Sequence, residues 1–322
     1  PVFQAQLDAR LDGAVAGAEA MLAAGHESLQ RDMNGSFNHA LATAELPPLK
    51  RYLESVGTAP NQQASNELAS LFTTLLTHYG HYTKLVLLDV TGRELLRVTH
   101  EPQSLQRPAT FSHAEADYFQ EAMTLSPRDL YVSPPSRNVH DDTAGTEAVP
   151  VVNIATPVFD TEGERKGVLL FSLDWEYLTL SLLQAMPIND ATQPLLVDAQ
   201  GSWLLVESQG PLRFGSSFAS VSPDAWEVLS RRNRGQADLG DFLLLFRAED
   251  IRTQEYRSQA GVLFSTLGFH PWRLGLLLPK PSLRTLLSQD LASLLIMTLL
   301  YGLSIAFGVF WALSSYRQRT LK

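Results

Sequence analysis

The sequence predicts an α+β fold in which a long N-terminal helix packs on two tandem modules with antiparallel sheets, followed by a C-terminal transmembrane helix. Three observations predict it. The first is an internal echo 109 residues apart: Leu87 to Leu96 reads Leu-Leu-Asp-Val-Thr-Gly-Arg-Glu-Leu-Leu, and Leu196 to Leu205 reads Leu-Val-Asp-Ala-Gln-Gly-Ser-Trp-Leu-Leu. Each is an apolar run, Asp-x-x-Gly and a second apolar run, which spells strand, tight turn and returning strand. An apolar strand follows each hairpin, at Gly167–Leu173 and Arg273–Leu278, and a helix-like stretch follows each strand. Repetition of that kind points to two copies of one small α+β unit. The second observation is a proline-free helical stripe from Val2 to about Ala44, and the third is the uncharged run from Leu291 to Tyr316.

The elements follow in order. Leu7, Leu11, Val15, Ala18, Leu22, Leu29, Met33, Phe37 and Leu41 recur at helical spacing. Gly13, Gly17, Gly25 and Gly35 weaken this helix by about 1 kcal/mol each relative to alanine. Pro47 and Pro48 end it and open a short helix through Leu53, and a third helix runs from Asn61 or Ser65 to Tyr79. The first hairpin covers Thr83–Val98. A helix is expected over Ala114–Thr124 with Ser112 as its N-cap, then a short strand at Asp129–Ser133 and a polar loop at Pro134–Gly145. Strands at Val149–Phe159 and Gly167–Leu173 are joined by a turn at Asp160–Gly163, and a helix over Asp174–Met186 links the two copies. The second copy runs from Pro194 to Pro279, with strands near Leu195, Trp203, Phe242–Arg247, Val262–Thr266 and Trp272–Leu278. Pro281 begins a helix continuous with the last, apolar stretch.

That stretch carries no charge across 26 residues, roughly 39 Å of helix at about 1.5 Å per residue, enough for a hydrocarbon core of about 30 Å. It predicts a membrane span over Leu291–Leu313. Arg317, Arg319 and Lys322 follow it, which places the C-terminus in the cytoplasm and the bulk of the chain outside. A preceding span before Pro1 and a cytoplasmic module after Lys322 are expected. Gly302, Ser304, Ala306, Gly308 and Ala312 put small residues at close-packing spacing, so a homodimer is expected. Three of the 25 basic residues lie beyond the span, leaving 22 against 34 acidic ones and a net charge of −12 outside. An acidic exterior argues against nucleic acid. The chain has no cysteine, which excludes disulfides, thiolate metal sites and cysteine nucleophiles.

Several motifs resemble the double Cache sensor domains, tandem PAS-like modules of bacterial transmembrane receptors. They are the helix pair followed by Tyr79-x-x-Tyr82 and Leu88-Asp-x-x-Gly-Arg-Glu-Leu-Leu-Arg-Val98; Tyr118-Phe119-x-x-Ala122; Leu130-Tyr-Val-Ser133; Val149-Pro-Val-Val-Asn-Ile-Ala-Thr-Pro-Val-Phe-Asp160; and Gly167-Val-Leu-Leu-Phe-Ser-Leu-Asp174. The resemblance implies a helical entry over 1–80, a membrane-distal module over 81–186, a membrane-proximal module over 187–280, and a span with cytoplasmic stub over 281–322. It implies an extracytoplasmic ligand-sensing region of a histidine kinase, a diguanylate cyclase or phosphodiesterase, or a chemoreceptor. A small metabolite would bind the distal module and signal through the C-terminal span. The alternative is a membrane-anchored module that docks a periplasmic protein partner.

The ligand candidates are Tyr118, Tyr131, Ser133, Asn138, His140, Asn153 and Asp174. A phenol offers apolar area and a hydroxyl, but both tyrosines fit equally well as core aromatics. Asn153 lies in an apolar run, where a buried amide needs a partner, either a ligand or the neighbouring loop. Asp174 matches an aspartate that faces the ligand ammonium in amino-acid binders, yet it also precedes a helix that it could cap. Ser133, Asn138 and His140 sit on the loop that would cover the pocket. Ala116 stands where amino-acid binders carry a carboxylate-clamping arginine, so an amino-acid site is only half present. His113-x-Glu115-x-Asp117 would splay on a helix and His140-Asp-Asp142 reads as a solvated tip, so neither catalysis nor a cofactor or metal is expected.

Overall fold

The computed structural model describes residues 2–56, 62–99, 112–137, 149–186, 192–206, 212–249, 256–257, 263–264, 266–267, 271–280, 296, 298–305 and 307. The chain divides into a unit of residues 1–16 and 279–322 and a larger unit of residues 17–278. In the smaller unit, the described residues between 296 and 307 are helical and exposed. Among the described residues no helix is long and apolar enough to cross a membrane, and most of the expected span Leu291–Leu313 lies outside them.

Helix α1 (Val2–Ala44) runs unbroken for 43 residues. Within the larger unit its stripe buries Ala18, Leu22, Leu29, Met33, Phe37, Ala40 and Ala44, spaced by threes, fours and one seven as a helical face requires. Pro47 opens α2 (Pro47–Ser55), where its missing N–H costs nothing, and α3 (Gln62–His78) buries Ala64, Leu68, Phe72 and Leu76 on one stripe.

The first sheet contains β1 (Tyr82–Asp89), β2 (Glu94–Thr99), β3 (Leu130–Val132), β4 (Ser136–Arg137), β5 (Pro150–Phe159) and β6 (Arg165–Asp174). Short helix α4 (Asp117–Ala122) lies between β2 and β3 in sequence. β5, β6, β1 and β2 are mutually antiparallel neighbours, β3 extends the sheet beyond β5, and β4 pairs with the start of β5. In the β1–β2 turn Asp89 Oδ1 accepts the Thr91 and Arg93 N–H groups while Gly92 takes φ 79°. The 198–201 turn repeats this: Asp198 Oδ1 accepts from Gln200 and Ser202, and Gly201 has φ 82°. The echo in the sequence is therefore one turn built twice.

Helix α5 (Trp175–Ala185) leads out of β6. It comes close to α1, because Gly25 offers no side chain: a Cβ there would lie 2.7 Å from Met186 Sδ and 3.1 Å from Leu182 Cδ1. Ser181 Oγ donates to Asp32 Oδ2 at 2.7 Å across the same contact. The second sheet follows, with β7 (Gln193–Val197), helices α6 (Phe218–Val221) and α7 (Pro223–Arg231), then β8 (Arg234–Leu239) and β9 (Phe242–Glu249). Next come two-residue strands β10 (Tyr256–Arg257), β11 (Leu263–Phe264) and β12 (Thr266–Leu267), and finally β13 (Trp272–Pro279). Its order is β7-β13-β9-β8, while β10 pairs β11 and β12 joins β3 of the first sheet in parallel.

Four local expectations are corrected. The helix expected at Ala114–Thr124 starts only at Asp117; Ser112 Oγ accepts the Ala114 N–H within a preceding turn, and Ala116 caps without a side chain. Ser136–Arg137 pairs with β5 inside what reads as a polar loop. The strand expected near Trp203 is reduced to isolated bridges, because its backbone bonds are shared between Leu196 and Ser216. The segment expected as one strand at Val262–Thr266 is split between β11 and β12, which pair with different strands.

Candidate functional site

β-Strand alternation sorts the first sheet into two faces. One carries Leu85, Leu87, Leu169, Phe171 and Ile154, all fully buried, and α3 lies against its β1 and β2. The other carries Val86, Leu88, Val168, Leu170, Ala155 and Tyr131, packed with Phe119, Ala122 and Leu125 and flanked by Tyr118.

Along that second face the registers Lys84↔Ser172 and Ser172↔Asn153 continue into Ser133, whose N–H donates to the Asn153 carbonyl at 2.8 Å. A row of four polar residues thus crosses β1, β6, β5 and the end of β3, every member buried. Such a row is costly unless each group is paired. Ser172 Oγ donates to Asn153 Oδ1 at 2.6 Å, and Ser133 Oγ accepts the Asn153 N–H at 2.9 Å while donating to the Pro134 carbonyl. These bonds hold Asn153 by its oxygen. Its Nδ2 and the Tyr131 hydroxyl have no hydrogen-bond partner among the described residues, although Asn153 is 3 % and Tyr131 7 % exposed. Burial, with lesser contributions from Asp117 and Glu121, pushes the Tyr131 phenol above its usual range, so it stays a neutral donor.

Tyr118 is held differently. His113 Nδ1 hydrogen-bonds its hydroxyl, and His113 Nε2 lies 2.6 Å from Glu94 Oε1. Arg97 clamps Glu94 in turn, with Nε 3.1 and 3.0 Å from the two carboxylate oxygens. Burial raises the Glu94 pKa, but hydrogen bonds and charge from His113 and Arg97 outweigh it, and the carboxyl is held below its ordinary value. In sequence His113 stands only as one member of a His-x-Glu-x-Asp set. In the fold it meets a glutamate 19 residues away, brought near by the adjoining Arg93–Ser112 bridge.

Asp174 stands at the end of β6, and its Oδ1 accepts the Glu176 and Tyr177 N–H groups at 2.9 and 3.2 Å. It caps α5. The structure therefore gathers Tyr131, Ser133 and Asn153 on one face beside Tyr118, and places Asp174 at the start of α5. Asn138 and His140 lie outside the described residues. Lys84 and Ser172 were missed: each is a single polar residue in an apolar strand, and the signal that could have found them is the register that aligns them with Asn153.

A second polar cluster lies where α1, the α3–β1 turn and α5 meet. It encloses a cavity of about 130 Å³ lined by Arg31, Asp32, Ser36, His39, His81 and Tyr177. His39 Nδ1 is 2.7 Å from the Tyr82 hydroxyl, and His81 stacks on Tyr177 at 5.4 Å. Burial lowers both histidine pKa values; for His81, neighbouring His39 adds to this and Asp32 opposes it.

The family model described as bacterial histidine kinase, sensor domain, matches residues 27–259. Among curated protein sequences none matches the chain. Solved structures share the fold. The extracellular domain of vpHK1S-Z8, described as a histidine kinase, aligns with TM-score 0.63 and 17 % identity over 84 % of this chain and 96 % of its own. The sensory domain of the Campylobacter jejuni chemoreceptor Tlp3, with isoleucine bound, aligns with TM-score 0.56 and 16 % identity over 85 % and 96 %. The ligand-binding domain of the Pseudomonas fluorescens chemoreceptor CtaA, in complex with L-serine, aligns with TM-score 0.52 and 16 % identity over 86 % and 99 %.

Proposed function

This chain belongs to the bacterial histidine kinase sensor domain family, and we propose that it binds a small metabolite on the α4-side face of its first sheet. The observation that carries this reading is the pair formed by Asn153 and Tyr131. Both are more than nine-tenths buried on one face, with the Asn153 Nδ2 and the Tyr131 hydroxyl left without partners among the described residues. An arriving acceptor would satisfy both, and ligand sites of this kind combine apolar walls with a few convergent polar groups. Val86, Leu88, Ala155 and Leu170 supply the walls. The bound isoleucine and L-serine of the structural neighbours support a metabolite of comparable size.

The modules at 81–186 and 187–280 are the membrane-distal and membrane-proximal halves of the receptor in this reading. The bulk of the chain is extracytoplasmic, Leu291–Leu313 crosses the inner membrane, and two copies pair through that span. Ligand binding favours one arrangement of the first sheet and its covering elements. It shifts the receptor only by its differential affinity for the two states, typically about 1–3 kcal/mol. The shift passes through α5 and the second sheet to the C-terminal helix, whose output is a kinase, a cyclase or a chemotaxis module.

The test is a thermal-shift screen of the purified chain against amino acids, organic acids, amines and purines. Ligand at about 100 times its Kd adds roughly 2.7 kcal/mol, a shift of several degrees. A hit that disappears in Tyr131→Phe and Asn153→Ala supports the reading. No hit across the panel transfers the function to docking of a periplasmic protein partner.

A further inference from the structure

The second sheet carries a counterpart of the α4-side face of the first, with its polar chemistry reversed. In the first sheet Val168, Leu88 and Glu94 stand side by side across β6, β1 and β2, and Val168 and Leu88 belong to the α4-side face. Leu88 and Glu94 lie 109 residues before Val197 and Trp203. Val197 bridges Trp203 in the same way, and on its other side it pairs Arg273 of β13. Residues directly opposite one another share a face, so Arg273, Val197 and Trp203 form one row. The first copy ends this row in a carboxylate that Arg97 and His113 contact. The second places a guanidinium at one end and an indole N–H at the other.

Both donors are buried, with Arg273 9 % and Trp203 6 % exposed. Arg273 Nε donates to the Leu229 carbonyl at 2.6 Å and Nη2 to the Ser230 carbonyl at 3.3 Å, at the end of α7, where a helix leaves its carbonyls without intrahelical partners. The remaining nitrogen, Nη1, and the Trp203 Nε1 have no hydrogen-bond partner among the described residues. The carboxylate that acts on Arg273 is Asp198, whose Oδ1 already accepts the Gln200 and Ser202 N–H groups. A guanidinium whose bonded partners are neutral carbonyls is a buried charge short of a counter-ion, an unfavourable arrangement that an anion relieves. Trp226 and Phe218 supply apolar walls: the Trp226 ring centroid lies 5.7 Å from Arg273 Cζ, and the Phe218 ring lies 6.1 Å from that of Trp203.

We propose that the second sheet holds an oxyanion site of its own, in which Arg273 Nη1 and Trp203 Nε1 donate to the charged oxygens of a small carboxylate, phosphate or sulfate. The site is independent of the ligand on the first sheet. An anion suits it better than a neutral acceptor, because charge-assisted hydrogen bonds are the strong ones.

The experiment follows the indole N–H resonances of the purified 322-residue chain by proton–nitrogen NMR at constant ionic strength. Acetate, inorganic phosphate and sulfate are the probes, and chloride and acetamide the controls. Trp203→Phe identifies the signal, and it removes a donor that has no partner among the described residues, so the fold keeps its bonds. At least one oxyanion moves the Trp203 resonance downfield in a saturable manner, and the controls do not. Acetate acting alone assigns the site to a carboxylate metabolite; phosphate or sulfate acting alone assigns it to an inorganic oxyanion. Calorimetry with the active probe gives binding that Trp203→Phe weakens by roughly tenfold, the range of one lost hydrogen bond. Arg273→Lys keeps the charge, loses the fork and weakens it as well. The resonance is read in the unaltered chain, so it decides the matter even where Arg273→Lys fails to fold. A Trp203 resonance unmoved by every probe, or moved equally by chloride, overturns the site. Binding that disappears in Asn153→Ala places the anion on the first sheet, which overturns the second site and leaves the metabolite reading standing.

Discussion

Trp175 and Trp272 meet edge to face, with ring centroids 4.7 Å apart and planes at 66°, and the Trp175 indole N–H donates to the Leu204 carbonyl at 2.6 Å. Trp175 begins the helix that leaves the first sheet, and Trp272 begins the last strand of the second. Both rings are fully buried, so the joint between the sheets is a packed core and not a hinge.

Trp175→Ala removes this core and leaves the Leu204 carbonyl unpaired. The expected loss of unfolding free energy is about 3–5 kcal/mol, read by urea denaturation. Trp175→Phe keeps most of the ring contact and loses less. Equal losses in the two variants would show that the hydrogen bond, and not the packing, holds the joint.

Glu94→Gln removes the carboxylate that Arg97 and His113 both contact. Removing one partner of a buried pair costs about 3 kcal/mol or more. Because the folded-state pKa of Glu94 is lowered, its contribution is present above the ordinary carboxyl value of 4.5 and disappears as pH falls through the folded-state value. Melting temperature measured from pH 6 to pH 3 should therefore drop more steeply in the unaltered chain than in Glu94→Gln. Parallel curves would refute the role of this pair.

His39 and His81 titrate below 6.5 in the folded chain. The unfolded chain then binds protons more readily, so their contribution to stability is full above pH 6.5 and declines as pH falls from there through the folded-state values. Melting scans between pH 8 and pH 5 should show a decline that shrinks in a His39→Gln, His81→Gln double variant. An unchanged slope in that variant would assign the acid sensitivity elsewhere.

Gly17 and Gly25 separate helix propensity from packing. Nothing lies within 4 Å of a Cβ at Gly17, so Gly17→Ala should gain up to about 1 kcal/mol. At Gly25 the same methyl meets Met186 and Leu182, and the gain should vanish or turn into a loss. Chemical denaturation of the two variants side by side checks this; equal gains would mean that α1 and α5 are looser than they stand.

The α+β class, the α1 stripe, the two Asp-x-x-Gly turns and the long strands of the first sheet were legible because each is a local matter. A stripe needs only helical spacing, and a turn needs an aspartate and a glycine three residues apart. The short strands β4 and β12 were not legible. Ser136 and Thr266 are ordered by partners far away in sequence, at Val151 and Leu130, and not by their own neighbours. The second hairpin misled for the same reason: its turn formed as expected, but Trp203 took its backbone partner from Ser216.

The candidate site divides along the same line. Sequence alone determined that Asn153 was an amide in an apolar run, which must find a partner, and that Tyr118 and Tyr131 were phenols fit for a pocket or for the core. Only the tertiary structure decided which partner. Strand register put Ser172 against the Asn153 oxygen and brought Lys84 into the same row, and the Arg93–Ser112 bridge delivered Glu94 to His113, whereas the Asp174 cap of α5 is a local matter. Periodicity is set by backbone geometry within a few residues, whereas pairing is set by which strands lie side by side, and that is a property of the whole sheet.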